Sequence, residues 1–136
     1  MPRTTIESPQ DRDACLRQVR KFAVYVEPTG SRYICDPAPM DTDEDYVVLC
    51  SNKGRAEILR LMDTWKFDIG GSRPASASDD SAFKSFKKGD LNFIITTDIE
   101  FFGRFVAATT VAKRLNLLAK ADRVALFRAV LYGRSA

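Results

Sequence analysis

The chain has 136 residues, 45% of them hydrophobic and 29% charged, a composition that buries one core and excludes disordered and collagen-like classes. It contains no histidine, which removes Ser-His and Cys-His nucleophile pairs, His-ligated zinc and an imidazole base, leaving carboxylates, Lys/Arg, hydroxyls and thiols for any chemistry. The net charge of +3 is too small to mark the whole molecule as a nucleic-acid binder.

In chain order, Ser8-Pro9 opens a first helix to about Lys21, with Cys15, Leu16, Val19 and Phe22 on one face. Phe22 to Glu27 is β-branched and aromatic and predicts a strand, broken by Pro28-Thr29-Gly30-Ser31. Asp36-Pro37-Ala38-Pro39-Met40 is a loop, since each proline removes a donor and extends its predecessor. A second strand runs from Asp45 to Cys50. Gly54 to Phe67 spaces Ile58, Leu61, Met62 and Trp65 as an amphipathic helix. The segment from Gly70 to Ser81 is an exposed loop rich in Gly, Ser and Asp. Strands at Ala82–Lys87 and Leu91–Thr96 form a hairpin around a Lys88-Gly89 turn. The last third, 98–133, is two helices, with Thr97 as cap, Glu100 as its capping-box partner and Gly133 as the C-terminal stop. Phe101, Phe102 and Phe105 read as core.

The expected fold is therefore α+β: a small mixed or antiparallel sheet with flanking helices in a single domain over 1–136, and 98–133 as a C-terminal helical extension. Three cysteines without C-x-x-C spacing indicate neither a disulfide framework nor zinc. The N-terminal segment lacks an apolar stretch, and no apolar run reaches the ~18 residues of a membrane span. Together these features predict a soluble cytoplasmic protein without a membrane partner.

Charge is unevenly spread. Asp36, Asp41, Asp43, Glu44 and Asp45 form an acidic run with no basic residue among them. Residues two apart on a strand share a face, so Asp43 and Asp45 converge, and two neighbouring carboxylates repel unless a hard cation such as Mg²⁺ neutralises them. Asp41-Thr42-Asp43 has the same spacing; the second pair is preferred because Tyr46 to Leu49 continues directly as a strand. Gly30-Ser31, at a strand-to-loop turn, suits close backbone approach to phosphate oxygens. Asp90 adds a third carboxylate where a later strand begins. Arg32 and Lys87-Lys88 flank these positions as candidate phosphate holders. Arg104, Lys113, Arg114, Lys120, Arg123 and Arg128 make the C-terminal helices a candidate phosphate-tracking face.

Gly-Ser, then Asp-x-Asp entering a strand, then a helix, then a further Asp before a strand, resembles the DNA polymerase β-like nucleotidyltransferase superfamily in its minimal single-domain form, over about residues 22 to 96. The phrase GDLNFIITTD, followed by FFGRFVAAT and AKRLNLL, is similar to small nucleotidyltransferases encoded by bacteriophages. The resemblance implies a Mg²⁺- or Mn²⁺-dependent enzyme that moves a nucleotidyl group from a nucleoside triphosphate to a hydroxyl of protein, RNA or a small molecule. Asp43 and Asp45 would be the metal pair, Asp90 the third ligand or base, and Gly30 and Ser31 the triphosphate cradle. Asn92 stands where an acidic residue is also expected in such sites. A catalytically inactive relative acting as an inhibitor or adaptor of a host protein is the alternative; a nucleic-acid accessory protein driven by the basic helices is a third reading.

Overall fold

The computed structural model describes residues 9–40, 43–69 and 83–133. The elements are α1 (Pro9–Phe22), β1 (Tyr25–Thr29), α2 (Ser31–Ile34), β2 (Glu44–Leu49), α3 (Asn52–Thr64), β3 (Asp68–Ile69), β4 (Lys84–Lys88), β5 (Leu91–Thr96), α4 (Ile99–Leu115) and α5 (Lys120–Tyr132). The strands form one mixed sheet in the order β1-β2-β5-β4-β3. β2 and β5 run parallel, and the other neighbours are antiparallel. A parallel pair needs a long crossover, which here contains α3, β3 and β4. This is the α+β architecture expected from the sequence.

Strand alternation sorts the core into two layers. Val47, Leu49 and Ile94 face α4 and α5 with Phe101, Phe105 and Phe127, whereas Val48, Phe93 and Ile95 face α1 and α3 with Val19, Ile58 and Met62. Central β5 is buried along its whole length, as a strand covered on both faces must be. The aromatics of α4 lie in the core: Phe101 stacks on Phe83, and Phe105 meets Phe127 edge-on.

Several local expectations are corrected. β1 begins later than Phe22 and includes Pro28, which pairs with Tyr46; β1 is an edge strand, where a missing N–H is tolerated. The cap of α4 is Asp98 rather than Thr97, because the Asp98 carboxylate accepts from the N–H groups of Glu100 and Phe101. α3 starts at Asn52 behind a Ser51 cap rather than at Gly54. The hairpin turn is Gly89-Asp90, with Gly89 at φ +59° and Lys88 still pairing in the strand. Gly133 ends α5 in the left-handed region, as expected. The Ser8 cap, Asp41 and the Gly70–Ser81 loop lie outside the described residues.

The C-terminal helices use their cations internally. Lys113 Nζ donates to the Tyr33 carbonyl at 2.8 Å and sits 4.3 Å from the centre of its ring. Arg123 donates to the carbonyls of Leu117 and Leu118, and Arg104 reaches Glu100 and the Leu131 carbonyl. Half of the expected phosphate-tracking cations therefore hold the helices together or onto α2. No helix among the described residues is long and apolar enough to cross a membrane.

Candidate functional site

The sheet register builds the site. Asp45 lies opposite Thr29 on β1 and Asn92 on β5; Asn92 lies opposite Lys87 on β4, and Lys87 opposite Asp68 on β3. Cross-strand partners project to the same face, so Thr29, Asp45, Asn92, Lys87 and Asp68 form one row across all five strands, on the α4 side. The row is one pleat beyond the apolar Val47–Ile94 level, where the core gives way to polar chemistry.

At the β1–α2 turn, Gly30 adopts φ +80° and lies directly against Asp45: a Cβ on Gly30 would fall 2.0 Å from Asp45 Oδ2. Glycine is required there twice over, for its backbone conformation and for space. The turn is held from below by the buried Thr29, whose hydroxyl bonds that of Thr109 on α4 at 2.7 Å.

Asp45 is placed at an electrostatic cost. Burial raises its carboxyl to about 6; the hydrogen bond from Asn92 pulls the value down, and the negative charge of Asp43 pushes it up. Asn92 Nδ2 donates to Asp45 Oδ1 at 3.0 Å. Asn92 itself is 2% exposed, and its Oδ1 is buried without a hydrogen-bond partner. An uncompensated amide oxygen next to a destabilised carboxylate costs folding energy, and such costs concentrate at functional sites.

Asp43, the residue before β2, is paired with Lys87: Nζ to Oδ2 is 3.1 Å. Lys88, one residue on, lies opposite Leu91 on the other side of the sheet, so alternation separates the two candidate lysines and only Lys87 joins the site.

Asp90 goes elsewhere. Arg12 on α1 donates to its Oδ1 at 2.5 Å, and Arg32 on α2 approaches Oδ2 at 3.4 Å. The bond from Arg12 holds the Asp90 carboxyl below its ordinary value against a modest effect of burial. Arg12 also binds Glu44 at 3.2 Å, and Glu44 accepts from the Tyr46 hydroxyl. No group of three or more His, Cys, Asp or Glu residues suited to a metal exists among the described residues. Of the expected trio, Asp43 and Asp45 lie close enough for each to feel the other's charge, Asp90 is held by Arg12 and Arg32, and Asn92 stands in the row beside Asp45.

The remaining positions divide likewise. Gly30 and Ser31 are at the site, whereas Arg32 turns toward Asp90. Asn92 and Asp68 belong to the row, and their partnership depends on strand register; Arg12 reaches Asp90 from 78 residues away. The Asp43 and Asp45 carboxylates and the Asn92 carbonyl oxygen are the groups here that would hold a hard divalent cation, which takes oxygen donors. The unsatisfied Asn92 Oδ1 is the observation that supports that fit.

No protein-family model matches the chain, and no curated protein matches it. Among solved structures it is similar to the conserved protein GrpB from Enterococcus faecalis, at 14% sequence identity and a TM-score of 0.49, over 91% of this chain and 90% of that one.

Proposed function

We propose that the chain binds a nucleoside triphosphate with one divalent cation beside the Gly30 turn and the Asp43/Asp45 pair, and transfers a nucleotidyl group to a hydroxyl of protein, RNA or a small molecule. The observation that carries this reading is the seating of Asp45, a half-buried and destabilised carboxylate pressed onto a positive-φ glycine. That arrangement gives nothing to packing, and it suits a site that expects positive charge. The resemblance of the Gly-Ser and Asp-x-Asp pattern to nucleotidyltransferases, including the bacteriophage type, points the same way.

Asp43 and Asp45 would hold Mg²⁺ or Mn²⁺, with Asn92 beside them; such an ion neutralises developing charge on phosphoryl oxygens. Gly30 makes the room in which Asp45 is seated against the turn, the Ser31 hydroxyl would meet a phosphate oxygen, and Lys87 offers a flexible point charge. Asp90, kept ionised by Arg12, is a weak base, and its work is to fix α1 and α2 against the end of β5. Catalysis in this reading is positioning and charge compensation.

A second reading is favoured by the diversion of Asp90 and the amide at Asn92, which leave two carboxylates where the resemblance implies three: a nucleotide-binding module of the same ancestry that does not transfer. Incubation with α-labelled triphosphate, Mg²⁺ and protein or RNA acceptors separates the two. The first reading expects label transfer that Asp45→Asn abolishes while the circular dichroism spectrum is kept. Equal transfer by both proteins contradicts it, and Mg²⁺-dependent binding without transfer selects the second.

A further inference from the structure

The Lys87–Asp43 ion pair lies at the candidate cation site. Three oxygen-bearing groups neighbour one another here: the Asp43 carboxylate, bonded to Lys87, the Asp45 carboxylate, bonded by Asn92 Nδ2, and the Asn92 amide, buried and with Oδ1 unpartnered. Lys87 Nζ lies 3.1 Å from Asp43 Oδ2, and Lys87 comes from the β4 position directly opposite Asn92. Its side chain is 33% exposed and that of Asp43 23%, so the pair is only partly shielded and can exchange.

Building on the proposed cation site, we infer that Lys87 is a resident counter-ion which a divalent cation must displace from Asp43, and that the displaced ammonium then serves the triphosphate. An ammonium beside Asp43 lowers the repulsion between the two carboxylates in the absence of metal. A divalent cation takes over that task with twice the charge, and it repels the ammonium at short range. Lys87 has somewhere to go: four methylenes let its head move several ångströms, and Asp68 lies directly opposite it on β3. Cation and triphosphate binding are then coupled, because each favours the state in which Lys87 has left Asp43, and the coupling is reciprocal. Lysine here sets a threshold: cation alone binds weakly, and cation with triphosphate binds well.

The test is Mn²⁺ titration of the full chain, followed by calorimetry and by the paramagnetic resonance signal of free Mn²⁺, for wild type, Lys87→Met and Lys87→Arg, each with and without a non-hydrolysable triphosphate. Without nucleotide, Lys87→Met is expected to bind Mn²⁺ roughly five- to tenfold more tightly than wild type, as removal of a partly exposed competing charge dictates, while Lys87→Arg stays close to wild type. The triphosphate should tighten Mn²⁺ binding in wild type and lose most of that effect in Lys87→Met. Unchanged or weaker Mn²⁺ binding by Lys87→Met, with wild type binding normally, overturns the counter-ion role and leaves the cation site standing. Absence of Mn²⁺ binding by all three proteins overturns both.

Discussion

Two carboxylate clusters flank the same end of the β2–β5 pair, and they are treated in opposite ways. On the α1 side, Asp90 and Glu44 share Arg12, Arg32 reaches Asp90 as well, and Asp90 sits below its ordinary pKa. On the α4 side, Asp45 is half-buried beside Asp43 with one amide hydrogen bond and the Asp43-bound Lys87 nearby, and its carboxyl still rises to about 6. The first cluster is satisfied and stabilises the fold. The second is less fully compensated and carries a cost that the fold bears, which is what the proposed cation site requires. Acidity alone did not distinguish them; their partners did.

The contrast can be broken most forcefully at Gly30. Gly30→Ala forces a Cβ to within 2.0 Å of Asp45 Oδ2 at a backbone of φ +80°, so a loss of about 3 kcal/mol or more is expected in urea unfolding. A loss below about 1 kcal/mol would show that Asp45 does not lean on the turn.

The pH dependence comes next. Asp45 has a folded value near 6 against an ordinary 3.8, so between those values the native state binds more protons than the unfolded one. Stability should therefore fall as pH rises from about 4 to 6, by at most about 3 kcal/mol, and then level off. Asp90 has the opposite sign: its folded value is lowered, so its contribution is present above its ordinary value and disappears as pH falls through the lowered one. Thermal melts from pH 3 to 8, without divalent cations, read both limbs.

Asp45→Asn sharpens the same point at one pH. It keeps an acceptor for Asn92 and removes the half-buried charge, so at pH 7.5 the metal-free protein should gain about 1–2 kcal/mol while losing any stabilisation by Mg²⁺. Asp90→Asn should move stability the other way. Melting curves in EDTA and in Mg²⁺ test both, and a destabilised Asp45→Asn would place the two clusters in one class.

The smallest effect is at Arg12→Met. Asp90 is half exposed, so the clamp is worth about 1 kcal/mol or less, and the variant should leave nucleotide binding intact.

Local signals made much of the site readable. Gly30-Ser31 announced itself as a turn after an apolar strand, and Asp43 and Asp45 share a face because strands alternate. Tyr46 to Leu49 fixed which way that strand runs into the core. The part that was not legible depends on which strands become neighbours. Asn92 meets Asp45 through the parallel β2–β5 register, and Asp90 lies beyond the end of β5, where Arg12 and Arg32 reach it from two different helices. The two-residue β3 carries no periodicity to read, so Asp68 stayed hidden. The Asp98 cap was missed for a simpler reason: Thr97 and Asp98 are both good caps, and the carboxylate won.

The central claim, that the Asp43/Asp45 face takes a nucleoside triphosphate together with a divalent cation, is tested most directly by calorimetric titration of each triphosphate into the wild-type chain in Mg²⁺ and in EDTA, and into Asp45→Asn. The account predicts saturable binding of at least one triphosphate in Mg²⁺ that disappears both in EDTA and in Asp45→Asn. Binding that is equal in all three conditions, or absent from wild type in Mg²⁺, would contradict it.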